Sequence, residues 1–192
     1  MQCVVLWTLW LKVRRQIFKT VWVFAYGSLI FRPGFEFQRQ VPAQVQGYAR
    51  RFWQGSPDHR GTAQNPGRVV TLVEAAEQQC QGVAFEVDDT LTEDVLSYLD
   101  DRESGGYERL VIRALLDDGQ VVDAWTWIAP ASNLNFLGDA TPAMMVQQIL
   151  GARGQSGANR DYVLKLAKNL AKLGIEDEHV QALAGWIREA DT

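Results

Sequence analysis

Strand-like and helix-like hydrophobic patterns are segregated along this chain of 192 residues. Six short segments rich in Val, Ile, Phe, Tyr and Trp are typical of β-strands, and they span residues 21–30, 45–54, 68–74, 80–87, 110–116 and 121–128. The C-terminal third has helical spacing, with helices expected to begin at 141 and to span 159–173 and 177–190. Strands first and helices mostly last indicate an α+β fold with an antiparallel or mixed sheet.

One helix is expected to interrupt the strands. Thr90 and Glu93 fit a capping box, and apolar residues at helical spacing follow. Two consecutive glycines, Gly105 and Gly106, are expected to end this helix. Between the last two predicted strands, residues 117–120 (Asp-Asp-Gly-Gln) predict a hairpin turn.

Composition excludes several classes of protein. The formal net charge is −4, so a basic face for nucleic acid is not expected. No apolar run reaches the roughly 20 residues that cross a membrane. The two cysteines, Cys3 and Cys80, form neither a metal-binding spacing nor a disulfide framework, which favours a cytoplasmic protein. The sequence carries no signal for an oligomeric state.

The first twenty residues differ from the rest of the chain. An apolar stretch at residues 4–11 is followed by four basic residues, the reverse of the charge order in a secretory signal. Strand patterning starts only at Val21. We therefore expect residues 1–20 to form an extension outside the fold. Residues 21–190 are expected to form a single domain, the number that this chain length favours.

Several common chemistries lack their motifs here. Neither a dinucleotide-binding GxGxxG nor a phosphate-binding P-loop is present. Residues 154–158 (Gly-Gln-Ser-Gly-Ala) resemble a nucleophile elbow, but Ala158 replaces the second glycine, and a helix-capping loop is the favoured interpretation. His59 and His179 are the only histidines, and no cysteine lies near either, so a zinc site with three or four ligands is not expected.

A loop rich in Gly and Pro at residues 55–67 contains the run Asp-His-Arg-Gly at 58–61. A catalytic triad with Ser28 or Ser56 is conceivable, although adjacent residues rarely face one another. The favoured alternative is a loop held by side-chain hydrogen bonds. Asp58 is nevertheless the main competitor for the role of a catalytic carboxylate.

Two further features are candidates for a functional site. Residues 24–29 (Phe-Ala-Tyr-Gly-Ser-Leu) form a strand ending in Gly-Ser, where successive N–H groups can converge on an anionic ligand; a simple turn is the alternative. Glu103 lies at the end of the predicted helix, where the carbonyl dipoles and nearby Asp100 and Asp101 are expected to raise its pKa. A carboxylate with a raised pKa is suited to general base and general acid catalysis. The alternative is an ordinary exposed glutamate at the end of a helix.

Taken together, these segments resemble the ChaC family of γ-glutamyl cyclotransferases, in its glutathione-specific branch. The resemblance extends over nearly the whole chain from Val21 onward. The matching blocks, in order, are residues 23–30, 50–56, 58–61, 65–72, 98–100, 102–107 and 156–162.

The resemblance implies a small mixed β-barrel with surrounding helices and a helical C-terminal part. It implies cleavage of glutathione to 5-oxo-L-proline and L-cysteinylglycine, with Glu103 as the catalytic base and acid. The γ-glutamyl group would be held by Val23, Phe24, Ala25, Tyr26, Gly27, Ser28 and Leu29. The family usually has Gly at the position of Ala25, so a positive φ there would make the alanine costly.

The chemistry of the implied reaction is consistent with these residues. The substrate's own α-amine can close a five-membered ring on the γ-carbonyl, which needs orientation more than a protein nucleophile. We therefore expect glutathione as the partner, with no metal and no cofactor. Arg or Tyr side chains, Tyr162 among them, are candidates for contact with the glycine carboxylate. Two alternatives stay open: a cyclotransferase for other γ-glutamyl amines or amino acids, and a non-catalytic binding module of the same fold.

Overall fold

The protein, described here from a computed structural model that covers residues 20–190, is built around a closed five-stranded β-barrel. The barrel strands are β1 (Val21–Ala25), β2 (Arg39–Ser56), β3 (Gly67–Val87), β4 (Glu108–Leu116) and β5 (Val121–Ile128). Their order around the barrel is β1-β3-β2-β4-β5. Neighbours are antiparallel except for β5 and β1, which are parallel and close the barrel.

Within residues 20–190, four α-helices surround the barrel: α1 (Thr92–Arg102), α2 (Pro142–Gly151), α3 (Asn159–Lys172) and α4 (Glu178–Ala190). A two-stranded hairpin, β6 (Arg153–Gly154) and β7 (Gly157–Ala158), separates α2 from α3. This hairpin replaces the helix-capping loop that the sequence predicted for residues 154–158. The predicted α+β class, mixed barrel and helical C-terminal part are confirmed.

Two hydrophobic clusters pack on opposite sides of β1. Phe24 faces the larger cluster, which β2, β3 and the helices α2, α3 and α4 share. Val23 faces the smaller cluster, which includes Phe85 on β3 and Leu99 on α1. Because successive side chains of a strand point to opposite faces, β1 connects both clusters and is buried almost throughout. The residues that follow β1 are therefore held on a rigid support.

Strand β3 is a single strand of 21 residues, whereas the sequence predicted two strands at 68–74 and 80–87. The stretch between them belongs to the strand and not to a turn: Gln79 pairs with Gln46 and Glu74 pairs with Tyr48, and the residues between fall within a break in the register. The register shift between Gln46 and Tyr48 bends the ribbon. Here β2 and β3 pair with each other and the β3 side chains are mostly exposed, so polar residues can occur on both faces. The alternation of apolar and polar residues that predicts a strand is therefore missing from this stretch.

The start of α1 differs from the predicted capping box. Asp88, not Thr90, supplies the capping oxygen: its carboxylate accepts hydrogen bonds from the Thr90 N–H at 2.9 Å and from the Thr90 hydroxyl at 2.6 Å. A 3₁₀ turn, Asp89–Leu91, follows, and the α-helix begins at Thr92. The helix ends at Arg102, before the two glycines, and this places Glu103 at its C-cap.

Residues 1–19 lie outside the described residues, so the expected extension at 1–20 and the single domain at 21–190 stay predictions. Within residues 20–190, none of the helices combines the length and apolar character that crossing a bilayer requires.

Candidate active site

A cavity of about 460 Å³ opens beside the C-terminal end of β1. The turn after β1, the loop between β2 and β3, the end of α1 and the helix α3 contribute its walls. The cavity brings together most of the residues that the sequence singled out: Phe24, Ala25, Tyr26, Gly27, Ser28, Leu29 and Glu103. Val23 does not line it, because its side chain packs in the core against α1.

Glu103 is positioned by the way α1 ends. Its N–H still donates to the Leu99 carbonyl at 2.9 Å, while the chain leaves the helix through Gly105 and Gly106. Gly106 has a φ of +89°, a conformation that glycine adopts without cost. The Asn133 amide holds this turn by donating to the Gly105 and Gly106 carbonyls at 3.2 and 2.7 Å. The carboxylate is therefore held at the cavity wall by a fixed backbone.

Burial raises the pKa of Glu103, and the positive charge of Arg102 lowers it in part. The Glu103 side chain is 19% exposed, and its Oε1 lies 3.6 Å from Nε of Arg102. The predicted direction of the shift is confirmed, but its cause is desolvation and not the neighbouring carboxylates. Asp100, one of those neighbours, is used elsewhere, since it accepts from the Trp127 indole at 2.9 Å and pairs with Arg109 at 3.0 Å.

Three tyrosines lie near the carboxylate, of which Tyr26 and Tyr162 are buried and Tyr107 is partly buried. The Tyr26 hydroxyl donates to the Trp127 carbonyl at 2.6 Å, and the Tyr107 hydroxyl donates to the Val70 carbonyl at 2.8 Å. Tyr162 from α3 completes the group. Burial is the main cause that raises the pKa of all three, and the negative charge of Glu103 raises each further. The hydroxyls therefore stay protonated and polar without competing for the role of base.

The turn after β1 presents unpaired backbone donors. Residues Ser28–Ile30 form one turn of 3₁₀ helix, in which Ile30 donates to the Gly27 carbonyl at 3.1 Å. Within the described part of the chain, the N–H groups of Gly27, Ser28 and Leu29 have no hydrogen-bond acceptor. Arg102 Nη2 donates to the Ser28 hydroxyl at 3.1 Å, which links this turn to the helix end that carries Glu103.

There is no room for a side chain at Gly27. A Cβ built on Gly27 would lie 2.9 Å from Cγ2 of Val70 and 3.5 Å from the Tyr162 hydroxyl. Ala25, in contrast, is the last residue of an ordinary strand, and none of the non-glycine residues in 20–190 has a positive φ. Alanine at the position where the family usually has glycine is therefore not strained.

A buried arginine, which sequence reasoning missed, fixes the carbonyl of Tyr26. Arg50 Nε donates to that carbonyl at 2.6 Å, its Nη2 donates to the Gln81 carbonyl, and its Nη1 donates to Asp177 at 2.6 Å. The Arg50 side chain is fully buried, and Asp177 also caps α4 by accepting from the Val180 N–H at 3.0 Å. Only the tertiary structure joins these residues, because Arg50 and Asp177 lie 127 positions apart.

The competing residues lie at the rim of the cavity. Asp58 and His59 have side chains that are each 53% exposed, and Asp58 accepts a hydrogen bond from the Ser56 hydroxyl at 3.1 Å. His59 Nδ1 lies 3.1 Å from the hydroxyl of Ser156, not from Ser28 or Ser56. The conceivable triads with Ser28 or Ser56 are therefore not assembled.

No metal-binding cluster of three or more His, Cys, Asp or Glu side chains occurs among residues 20–190. The side chains that converge on the cavity are instead one carboxylate with a raised pKa, protonated tyrosines and arginines. A carboxylate whose pKa is raised in this way is better able to both take up and return a proton. The arrangement is suited to acid–base chemistry on a bound polar molecule.

Comparison with known proteins gives the family. A sequence profile described as ChaC-like protein matches residues 21–190. "Gamma-glutamylcyclotransferase 2-3" from Arabidopsis thaliana is 41% identical over 176 residues, covering 88% of this chain and 88% of that protein. Human "Glutathione-specific gamma-glutamylcyclotransferase 1" is 39% identical over 171 residues, covering 86% of this chain and 77% of that protein.

A solved structure confirms the type of barrel. The crystal structure of a γ-glutamyl cyclotransferase specific to glutathione from yeast superposes with a TM-score of 0.82 at 28% identity. The superposition covers 88% of this chain and 96% of that one. Sequence and structure thus agree over the same region, and the chain belongs to the ChaC-like family.

Proposed function

We propose that this protein is a glutathione-specific γ-glutamyl cyclotransferase that releases 5-oxo-L-proline and L-cysteinylglycine, with Glu103 as its base and acid. One observation carries the assignment of the residue: Glu103 is the cavity carboxylate whose pKa burial raises, and Arg102 links it to the Gly27–Leu29 turn. The names of the human and fission yeast relatives support glutathione as the substrate, and the name of the plant relative supports the γ-glutamyl cyclotransferase reaction.

The first step is an attack of the substrate's α-amine on its own γ-carbonyl. An α-amino group with a pKa of about 8 is largely protonated at pH 7, so a base must remove a proton before attack. The Glu103 carboxylate accepts that proton. Holding the amine against the carbonyl supplies roughly 7–11 kcal/mol through orientation, which makes a protein nucleophile unnecessary.

The second requirement is to stabilise the oxyanion that develops on the γ-carbonyl oxygen. The free N–H groups of Gly27, Ser28 and Leu29 are the donors available at the cavity wall. One such donor contributes about 3–4 kcal/mol in a well-studied case. The ring is already closed in this tetrahedral intermediate, which collapses when the C–N bond to cysteine breaks and Glu103 returns its proton to the departing amine of cysteinylglycine.

The two alternatives are tested by the same panel of substrates. A cyclotransferase for other γ-glutamyl amines or amino acids would turn those compounds over faster than glutathione. A binding module would turn over none of them, although the buried carboxylate and its tyrosines argue for catalysis. We also propose a cytoplasmic location, which the low cysteine content supports.

The decisive experiment measures 5-oxoproline released from reduced glutathione by the wild type, Glu103→Gln and Asp58→Asn. Gln keeps the shape of Glu103 but cannot carry the proton, so kcat should fall by about 100-fold or more, since general acid–base catalysis contributes 10²–10⁴-fold. Asp58→Asn should keep most of the activity, and EDTA should not inhibit. If Asp58→Asn abolishes turnover while Glu103→Gln retains it, the assignment of Glu103 is wrong.

A further inference from the structure

Two arginines at the mouth of the cavity form no ion pair with an acidic side chain among residues 20–190. Arg32 follows the 3₁₀ turn after β1, and Arg60 lies in the loop between β2 and β3. Both line the cavity. The third cavity arginine, Arg102, lies beside Glu103, so these two are the cations left for a ligand.

The side chain of Arg60 is held in place by a hydrogen bond and by a ring contact. Its Nη1 donates to the Ser156 carbonyl at 2.7 Å, and its guanidinium stacks over the ring of Tyr162, with 5.5 Å between the guanidinium carbon and the ring centroid. The backbone of Arg60 is also held in place, because its N–H donates to the Ser56 hydroxyl at 3.1 Å. The carbonyl oxygen of Arg60 packs closely on Gly67, where an added Cβ would lie only 2.4 Å from it. The orientation of this side chain is thus set before a ligand arrives.

The surroundings of Arg60 favour an anion. Burial lowers the pKa of its guanidinium; the neighbouring Asp161 raises it, while the positive charge of Arg32 lowers it. Asp161 is itself within ion-pair distance of Arg160, at 3.7 Å. The rim carboxylate Asp58 accepts a hydrogen bond from the Ser56 hydroxyl and lies near His59, and it forms no ion pair with Arg60. A bound carboxylate would relieve both the desolvation and the repulsion between the two arginines.

Arg32 is joined directly to the turn that presents the free N–H groups. Its backbone N–H donates to the Ser28 carbonyl at 2.9 Å, so its position is fixed relative to Gly27–Leu29. Its side chain is exposed and makes no hydrogen bond within the described residues. An extended peptide advances about 3.3–3.6 Å per residue, so the end of a bound dipeptide leaving group lies about 7 Å from the γ-carbonyl. Arginines at the rim fit that end of the substrate.

We propose that Arg32 and Arg60 form the subsite for the C-terminal carboxylate of the substrate, the glycine carboxylate of glutathione. The inference rests on the proposed function and adds the basis of its specificity. The substrates are then compounds in which the γ-glutamyl group is joined to a dipeptide with a free C-terminal carboxylate, as in glutathione. γ-Glutamyl amines lack the carboxylate that the two guanidinium groups recognise. Arg32 and Arg60 select the leaving group, while Glu103 and the Gly27–Leu29 turn act on the γ-glutamyl part.

The test compares glutathione with its glycine carboxamide, which differs only by the charge at the C-terminus. The wild type should cleave the amide with a kcat/KM lower by about 10- to 100-fold, the range that a hydrogen-bonded charge contributes. Arg32→Gln and Arg60→Lys should lose a similar factor on glutathione, mainly through KM, and should lose little on the amide. Arg113→Gln, an exposed arginine on β4 outside the cavity, should match the wild type on both substrates.

The outcomes separate the subsite from the reaction. Equal losses on the acid and the amide, or no loss on either, would overturn the subsite. A wild type that releases 5-oxoproline from neither substrate would instead overturn the proposed function. In that event calorimetry with cysteinylglycine still tests the subsite, because Arg32→Gln should bind the dipeptide about tenfold or more weakly than the wild type. Equal binding, or no binding by the wild type, contradicts the proposal.

Discussion

At the scale of single residues, Glu103 shows a conflict between stability and chemistry. Burial disfavours its charged form, so the pKa in the folded state lies above the unfolded value. The folded protein therefore binds this proton more tightly than the unfolded chain does. The stability gained from this group is complete at low pH and is lost as the pH rises through the folded pKa. An ionised Glu103 costs stability at the pH where it is needed as a base.

Glu103→Gln should therefore melt at the same temperature as the wild type or higher at pH 7. The difference should vanish below about pH 4, where the unfolded glutamate is also protonated. Differential scanning calorimetry from pH 4 to pH 8 measures it, with Glu108→Gln on the exposed start of β4 as the control for removing a carboxylate. A variant that is less stable than the wild type at pH 7 would show that the Arg102 contact outweighs the burial.

Gly27 is a second residue whose identity matters for the site, because even a single added carbon, a Cβ, has no room there. Gly27→Val adds a branched side chain where a Cβ alone lies 2.9 Å from Val70. The added atoms force this turn to shift, and because a displacement of 1 Å can cost about 100-fold, kcat/KM for glutathione should fall by roughly tenfold or more. Gly105→Ala is the matched control, because a Cβ on that cavity glycine meets nothing within 4 Å. Unchanged kinetics for Gly27→Val would place substrate binding elsewhere.

At the scale of elements, Arg50 connects the start of α4 with the turn after β1. In a trans peptide the carbonyl and the next N–H point in opposite directions, so holding the Tyr26 carbonyl also orients the Gly27 N–H. Arg50→Lys keeps a positive charge for Asp177 but cannot reach all three acceptors. A displacement of 1 Å can cost about 100-fold, and kcat/KM should fall by about that factor.

Asp177→Asn is the control for this prediction. Asp177 accepts from the Val180 N–H with one oxygen and from Arg50 with the other, and asparagine keeps only one of them. Arg50 still donates to the Tyr26 and Gln81 carbonyls, so the Tyr26 carbonyl stays in place. This variant should lose thermal stability through the broken charge pair and keep most of its activity. Steady-state kinetics and melting curves on both variants separate positioning from stability. If activity falls in proportion to melting temperature in both variants, Arg50 only stabilises the fold and does not position the turn.

The elements were predictable from the sequence where local pattern determines them. The hairpin at 117–120 is present, with Gly119 at a φ of +86°. The union of 68–74 and 80–87 into β3 was not predictable, because only pairing with β2 shows that the polar stretch between them is extended. The capping box at Thr90 failed for a similar reason. Asp88 is an equally good cap, and the sequence does not say which of two polar residues, two positions apart, begins a helix.

At the scale of the whole molecule, the site was predicted only in the parts that carry motifs. The 24–29 segment and Glu103 could be found, because glycine and a helix-end carboxylate have recognisable chemistry. Arg50 could not be found, since its partners lie 24 and 127 positions away and no local pattern marks them. The cause of the raised Glu103 pKa escaped prediction for the same reason: burial is a property of the assembled cavity.

Removal of residues 1–20 is a prediction about the whole chain. The closed barrel, the cavity and the helices are all formed by residues 21–190. The shortened chain should keep the wild-type kcat/KM and melt within about 5 °C of the full chain, a shift of about 1–2 kcal/mol for a domain of this size. Side-by-side kinetics and calorimetry measure both. A larger drop in melting temperature would show that the first twenty residues pack on the core.

The parallel pairing of β1 with β5 has a consequence for how the enzyme is made. Trp22 and Val23 pair with residues about one hundred positions later, and the Tyr26 hydroxyl donates to Trp127 across 101 positions. Contacts this distant in sequence form late and slowly during folding. A nascent chain on the ribosome cannot close the barrel until β5 has emerged, so catalytic competence cannot arise before that point. On refolding, glutathione turnover should therefore return together with the burial of Trp127, and an earlier return would contradict this order.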